Sequence, residues 1–172
     1  LYMGEPRPRG GAVFGDPHTY GGKVSVKDET TGELTTVDNP VQLPDHFDRK
    51  VIGIDCAYTK KTHSDYSVAV VLGVKDGIHY ILDVVRKQCE APEFEKILRT
   101  LREQHGFPPI YWYTGGQEKA IADFFTNRGL RVKAVPAKDD KFVRAQPVAA
   151  AWNAGKVLMP YTHRNNKKWT AP

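Results

Sequence analysis

The sequence predicts an α/β fold in which one mixed sheet carries helices on both faces, and three observations lead there. A short apolar run, Val51-Ile52-Gly53-Ile54, ends abruptly on a carboxylate, Asp55, the pattern of a buried central strand. Two further apolar runs, 67–74 (SVAVVLGV) and 78–85 (IHYILDVV), flank Lys75-Asp76-Gly77, and Asp-Gly between such runs is a strong hairpin signal. From residue 91 onward, helical and strand periodicities alternate.

Each later element has its own local cause. Ala91-Pro92-Glu93 places proline and an acid in a first helical turn. Phe94, Ile97, Leu98 and Leu101 then recur at i, i+3, i+4 and i+7, an amphipathic helix that stops at Gly106. A fourth strand covers 110–113. A second helix covers 119–128, with Ile121, Phe124 and Phe125 inward and Gly129 as its stop. A fifth strand covers 130–135, and a third helix covers 141–153, disturbed by Pro147 and stopped near Gly155. Val157–Met159 is a short last strand. The order is βββαβαβαβ: tight turns make the first three strands antiparallel, and the αβ units add parallel neighbours through right-handed crossovers. This is the element order of the ribonuclease H fold, which by itself does not give function.

Length and composition bound the rest. The 172 residues suffice for one domain plus an extended segment, and 40% hydrophobic residues suffice for one core. Residues 1–48 are rich in Gly, Pro, Asp and Thr, with apolar residues scattered singly, and read as a linker or extended segment; the folded unit is expected over 49–172. The chain begins at Leu1 and stops at Pro172 without a terminal helix stop, so it reads as a fragment truncated at its C-terminal end. A net charge of +5 and a pI near 9.1 favour a polyanionic partner, but only weakly. Cys56 and Cys89 have no CxxC spacing, which excludes a disulfide framework and a structural zinc site and fits a reducing compartment. No apolar run reaches ~18 residues and no signal-peptide pattern occurs, so the expectation is a soluble chain that is neither secreted nor membrane-bound. The six histidines show no HExxH spacing, and no GxSxG elbow occurs.

Asp55 carries the sharpest chemical signal. A carboxylate at the end of a buried strand is costly unless paired or ligated. Phosphodiester hydrolysis commonly uses two hard cations that prefer carboxylate oxygens. The competing reading is an Asp that caps the turn into Ala57-Tyr58-Thr59. Asp65 starts the second strand across the turn from Asp55, and it is a metal ligand, a partner of one, or a turn residue. Asp83 lies within the third strand, where period-2 alternation puts Ile81, Asp83 and Val85 on one face; it is either a further ligand or simply exposed.

Six stretches in a fixed order make a more specific pattern: 1–14 (LYMGEPRPRGGAVF), 51–55 (VIGID), 64–67 (SDYS), 80–84 (YILDV), 140–145 (DKFVRA) and 154–157 (AGKV). Together they resemble the C-terminal nuclease half of phage large terminases, the DNA-packaging motors. The resemblance covers most of the chain. It implies a ribonuclease H-like endonuclease that cuts concatemeric double-stranded DNA with Mg²⁺ or Mn²⁺, two ions in one site. Asp55 is then the catalytic metal ligand, with Asp65 beside it and Glu118 and Asp83 as further metal candidates. The run 138–144 (KDDKFVR) resembles the family's basic loop, so Lys138, Lys141 and Arg144 would touch phosphates, joined by Arg164 in the basic tail 161–168. Asp139 and Asp140 also suit the cap of the third helix. The resemblance further implies a portal protein and a small terminase subunit as partners, an ATPase domain in the same polypeptide, and the host-cell cytoplasm. No GxxxxGK[ST] occurs in these residues, so the motor lies outside them, and residues 1–48 would be the inter-domain connection.

Two departures stand out. Thr114 occupies the position where the family pattern places an acid, and Glu118 is either its substitute or a helix N-terminal acid. The family's third acid would fall beyond Pro172. Two other readings therefore stay open: a non-catalytic ribonuclease H-like module that binds DNA or docks on a portal, and a junction resolvase or transposase-type nuclease.

Overall fold

A computed structural model of the chain describes residues 13–57 and 66–161, with only the backbone of Gly116 and Gln117. Short strands β1 (His18–Tyr20), β2 (Lys23–Lys27) and β3 (Leu34–Asp38) come first. They are followed by β4 (Arg49–Asp55), β5 (Ser67–Lys75), β6 (Ile78–Lys87), α1 (Ala91–Gln104), β7 (Ile110–Thr114), α2 (Gly116–Asn127), β8 (Val132–Pro136), α3 (Lys141–Asn153) and β9 (Val157–Pro160). From β4 onward this is the predicted order, and the ribonuclease H-like mixed sheet is the fold observed. Its seven strands run β1-β9-β6-β5-β4-β7-β8; β4, β5 and β6 pair antiparallel, while β7, β8, β9 and β1 join parallel.

Local chemistry explains the turns. Between β5 and β6, Asp76 and Gly77 both have positive φ (49° and 77°), the geometry of a two-residue hairpin turn. Asp48 braces this turn, accepting from the Asp76 amide at 2.9 Å and from Lys75 Nζ at 3.1 Å. At Gly73 the backbone approaches Phe47 so closely that a Cβ would stand 2.6 Å from the ring.

Alternation along β4 and β7 makes the sheet two-sided. Ile52, Ile54, Ala69, Val71, Ile110 and Trp112 are buried against Phe94, Leu98 and Leu101 of α1 and Ala122 and Phe125 of α2. On β7 the intervening Tyr111 and Tyr113 point the other way and are exposed. The start of α3 lies on that second face, where Arg144 meets the Tyr113 ring. Helices thus flank both faces.

Two features depart from the sequence reading. The register of β5 on β6 shifts between Val71 and Leu72: Val71 pairs with Asp83 and Leu72 with Ile81. Leu82 is thus an extra residue, and Ile81 does not share a face with Asp83 as strict alternation predicts. Residues before Lys50 hold more structure than their composition predicts. Strand β1 extends the main sheet beside β9, and β2 and β3 form a separate hairpin. Buried Tyr20 donates to the Ile81 carbonyl at 2.8 Å. Burial, and then the charge of Asp83, raises its hydroxyl to about 12. Singly scattered apolar residues gave no periodic signal, because this segment is held by backbone pairing and one aromatic anchor.

Glu95 is a charged residue on the buried side of α1, its side chain 4% exposed. It accepts from Arg99 Nε and Nη2 at 2.9 and 2.8 Å and from Arg128 Nε at 2.5 Å, while Arg99 also donates to the Arg128 carbonyl. The cluster ties α1 to the end of α2. Burial pushes the Glu95 carboxyl upward, but the two guanidiniums outweigh it and hold the group below the usual range. Glu95→Gln is expected to lower unfolding free energy by about 2 kcal/mol at neutral pH in urea titration. Because the folded value is depressed, this contribution is present above the unfolded value of about 4.3 and is lost as pH falls through the folded one. The gap between wild type and variant should therefore close in acid.

Candidate metal and phosphate site

Strand β4 ends on Asp55, whose side chain projects on the face of Gly53 and Tyr111, away from the helix-packed core. Its carboxylate is 60% exposed, and Oδ2 accepts from Lys141 Nζ at 2.9 Å. The lysine arrives at the first residue of α3 because Asp140 caps that helix, its Oδ1 accepting from the Val143 amide at 2.9 Å. Arg144, one turn on, donates from Nε to the Asp139 carbonyl at 3.1 Å, and its guanidinium sits 5.0 Å from the centre of the Tyr113 ring. Lys138 is exposed in the loop before this helix. Asp55, Lys141 and Arg144, singled out in the sequence, are thus brought together.

The other candidates have different surroundings. Asp83 pairs with Val71, on the helix-packed face. It is 6% exposed, accepts from the Val84 amide, and lies 3.4 Å from His105 Nε2 at the end of α1. The sheet separates it from Asp55. Glu118 folds back over the start of its own helix, its Oε2 2.7 Å from where a Cβ on Gly115 would stand, the posture of an acid reaching toward its N-cap. Thr114 is 8% exposed on the core side of β7, and the β7 residues on the face of Asp55 are Tyr111 and Tyr113. Asp65 and Arg164 lie outside the described residues.

Asp55 fits as one ligand of a hard cation: its oxygens are accessible and one already receives an ammonium group. Among the described residues, no group of three or more His, Cys, Asp or Glu side chains gathers to hold a metal. Cys56, next to Asp55, is buried; burial first, and then the Asp55 charge, pushes its thiol well above the ordinary range, so it stays protonated and unreactive. Sequence reasoning missed Tyr113 and Tyr111. Period-2 alternation across 110–114 was the available signal.

The fold and this arrangement meet in the comparison with known families. The model of the "Terminase RNaseH-like domain" matches residues 52–171. The chain belongs to the terminase RNaseH-like domain family. Among solved structures, the large terminase nuclease of thermophilic phage G20c with bound magnesium is 26% identical, with a TM-score of 0.54 over 69% of this chain and 60% of that one. The same nuclease with bound zinc is also 26% identical, covering 66% of that chain. The large terminase of another thermophilic bacteriophage, in complex with ATP-gamma-S, shares the fold at 17% identity and a TM-score of 0.54. That match takes in 69% of this chain but spans only 30% of the longer terminase. Comparison with curated proteins gave no match. No helix among the described residues is long and apolar enough to cross a membrane.

The capping bond should position Lys141. Asp140→Ala is expected to cost about 1 kcal/mol in thermal unfolding and to speed hydrogen exchange at Val143 and Arg144 selectively. Unchanged exchange there would remove the cap from the account.

Proposed function

We propose that this terminase domain is a divalent-metal-dependent endonuclease that cuts double-stranded DNA during packaging, with Asp55 as its catalytic carboxylate. The observation that carries this reading is the placement of Asp55, rigid at a strand end, exposed on the open face and already paired with a cation. The magnesium and zinc bound by the G20c nuclease support a divalent ion here. Asp55 and Asp65 would hold it, with Glu118 as a further candidate and Asp83 least favoured by its face. A bound Mg²⁺ or Mn²⁺ supplies a water of lowered pKa and neutralises charge on the leaving oxygen.

The chain's own residues perform the remaining tasks. Lys141 and Arg144 draw a phosphate to Asp55, and Lys138 and Arg164 extend the positive surface. Lys141 also balances the Asp55 charge until an ion or phosphate replaces that contact. A portal protein, a small terminase subunit, an ATPase domain in the same polypeptide and the host cytoplasm complete the proposed setting; residues 1–48 would be the inter-domain connection, of which β1 is already a strand of this domain's sheet.

A second reading, a non-catalytic DNA-docking module, rests on two observations: among the described residues no group of three or more His, Cys, Asp or Glu side chains gathers to hold a metal, and Thr114 faces the core. Mn²⁺ titration calorimetry separates the two: heat saturating in the millimolar range supports the nuclease, and a flat trace supports the module. Asp55→Asn is expected to abolish plasmid cleavage in Mn²⁺ while leaving the circular dichroism spectrum and melting midpoint unchanged. Normal cutting by that variant removes Asp55 from the mechanism.

A further inference from the structure

Cross-strand partners in a sheet project on the same face, so registered pairs define transverse rows. Asp55 pairs with Val68 on β5, and Val68 pairs with Arg86 on β6. Arg86 therefore lies on the face of Asp55, two strands away, about 10 Å at ordinary strand spacing. On the other side of Asp55, one residue past the last registered pair of β4 with β7, stands Tyr113 with Arg144 against its ring. Arg86 has a matching companion: its guanidinium lies 3.5 Å from the centre of the Tyr66 ring. The carboxylate is thus flanked by two arginines, each laid on a tyrosine.

That geometry selects a kind of ligand. A ring against the plane of a guanidinium covers its face and leaves its edge N–H groups pointing outward. Those edges match the in-plane, bidentate geometry of a phosphate. Stacking also restricts the rotamers of a long side chain before a ligand arrives, so less freedom is lost on binding. The ring face turned to each arginine is closed to a base. Between the two stacks the row contains Val68 and Asp55, with Gly53 set back on β4 and no atom of the described residues within 4 Å of where its Cβ would be. A phosphodiester chain can therefore approach Asp55 without meeting a bulky side chain on β4.

We propose that Arg86, held by Tyr66, and Arg144, held by Tyr113, are paired phosphate anchors that grip one nucleic-acid backbone on either side of the bond presented to Asp55. Arg86 is the new member of the pair, Tyr66 is its positioning residue, and the backbone crosses the strand ends from β6 toward β7. This rests on the nuclease reading above.

The test is steady-state cleavage of a linear duplex in Mn²⁺ by the full chain, together with duplex binding in the Asp55→Asn background at several salt concentrations. Arg86→Met is expected to raise KM about tenfold with little change in kcat, and to flatten the dependence of log affinity on log salt by about one phosphate contact. Tyr66→Leu should raise KM in the same sense with the salt slope retained, because the charge remains. Arg86→Lys, which keeps charge on an exposed side chain, should fall between wild type and Arg86→Met and guards against a folding defect. Unchanged KM and salt slope in Arg86→Met, with wild-type cutting intact, overturn the anchor while leaving the nuclease reading standing. A wild-type chain that neither binds nor cuts duplex DNA overturns both. Dimerisation that Arg86→Met abolishes, with DNA affinity untouched, would instead assign the row to contacts between copies of the chain and overturn the proposal.

Discussion

Burial of one face of the central strands under α1 and α2 is the constraint on which the rest depends. Ile52 and Ile54 on β4, with Ile110 and Trp112 on β7, are drawn under Phe94, Leu98 and Phe125. At period 2, that burial forces Asp55, Tyr111 and Tyr113 to the opposite side. A fully buried Ile or Phe side chain is worth about 1.5–3 kcal/mol. A one-residue slip of β4 would exchange core and site and lose several such contributions at once. The position of the Asp55 carboxylate is thereby fixed by apolar packing, and its own interactions need only tune it.

The same logic separates the acids. Asp55 and Asp83 both sit within apolar strand runs, yet one faces the open side with Lys141 and the other faces the helices with His105. A buried carboxylate beside a histidine holds α1 to the sheet; an exposed carboxylate beside a lysine can exchange its cation. Thr114 follows the core side of β7, so the position where the family pattern expects an acid lies on the far side of the strand from Asp55.

Much of this was legible in the sequence. Apolar runs, the Asp-Gly turn and the Pro-acid helix start predict the order from β4 to β9, because each is a local signal with a local cause. Residue type offered Asp139 and Asp140 as caps of α3, and the structure uses Asp140. Asp55, Lys141 and Arg144 were picked from the ordered motifs, and they meet in space. What the sequence concealed was non-local. The bulge at Leu82 turns Ile81 away from Asp83, and no residue type announces it. Strand β1 has only three residues and depends on a partner strand more than a hundred residues away. Buried Glu95 lies on α1 because two arginines, one from beyond α2, converge on it.

Paramagnetic broadening by Mn²⁺ tests the central claim most directly. In ¹H–¹⁵N spectra of the chain, substoichiometric Mn²⁺ should broaden the amides of Asp55, Cys56 and Tyr113 first, and those of Val84 and His105 only as more Mn²⁺ is added. Broadening centred on Val84 and His105, or none at any millimolar concentration, would contradict a metal site at the end of β4.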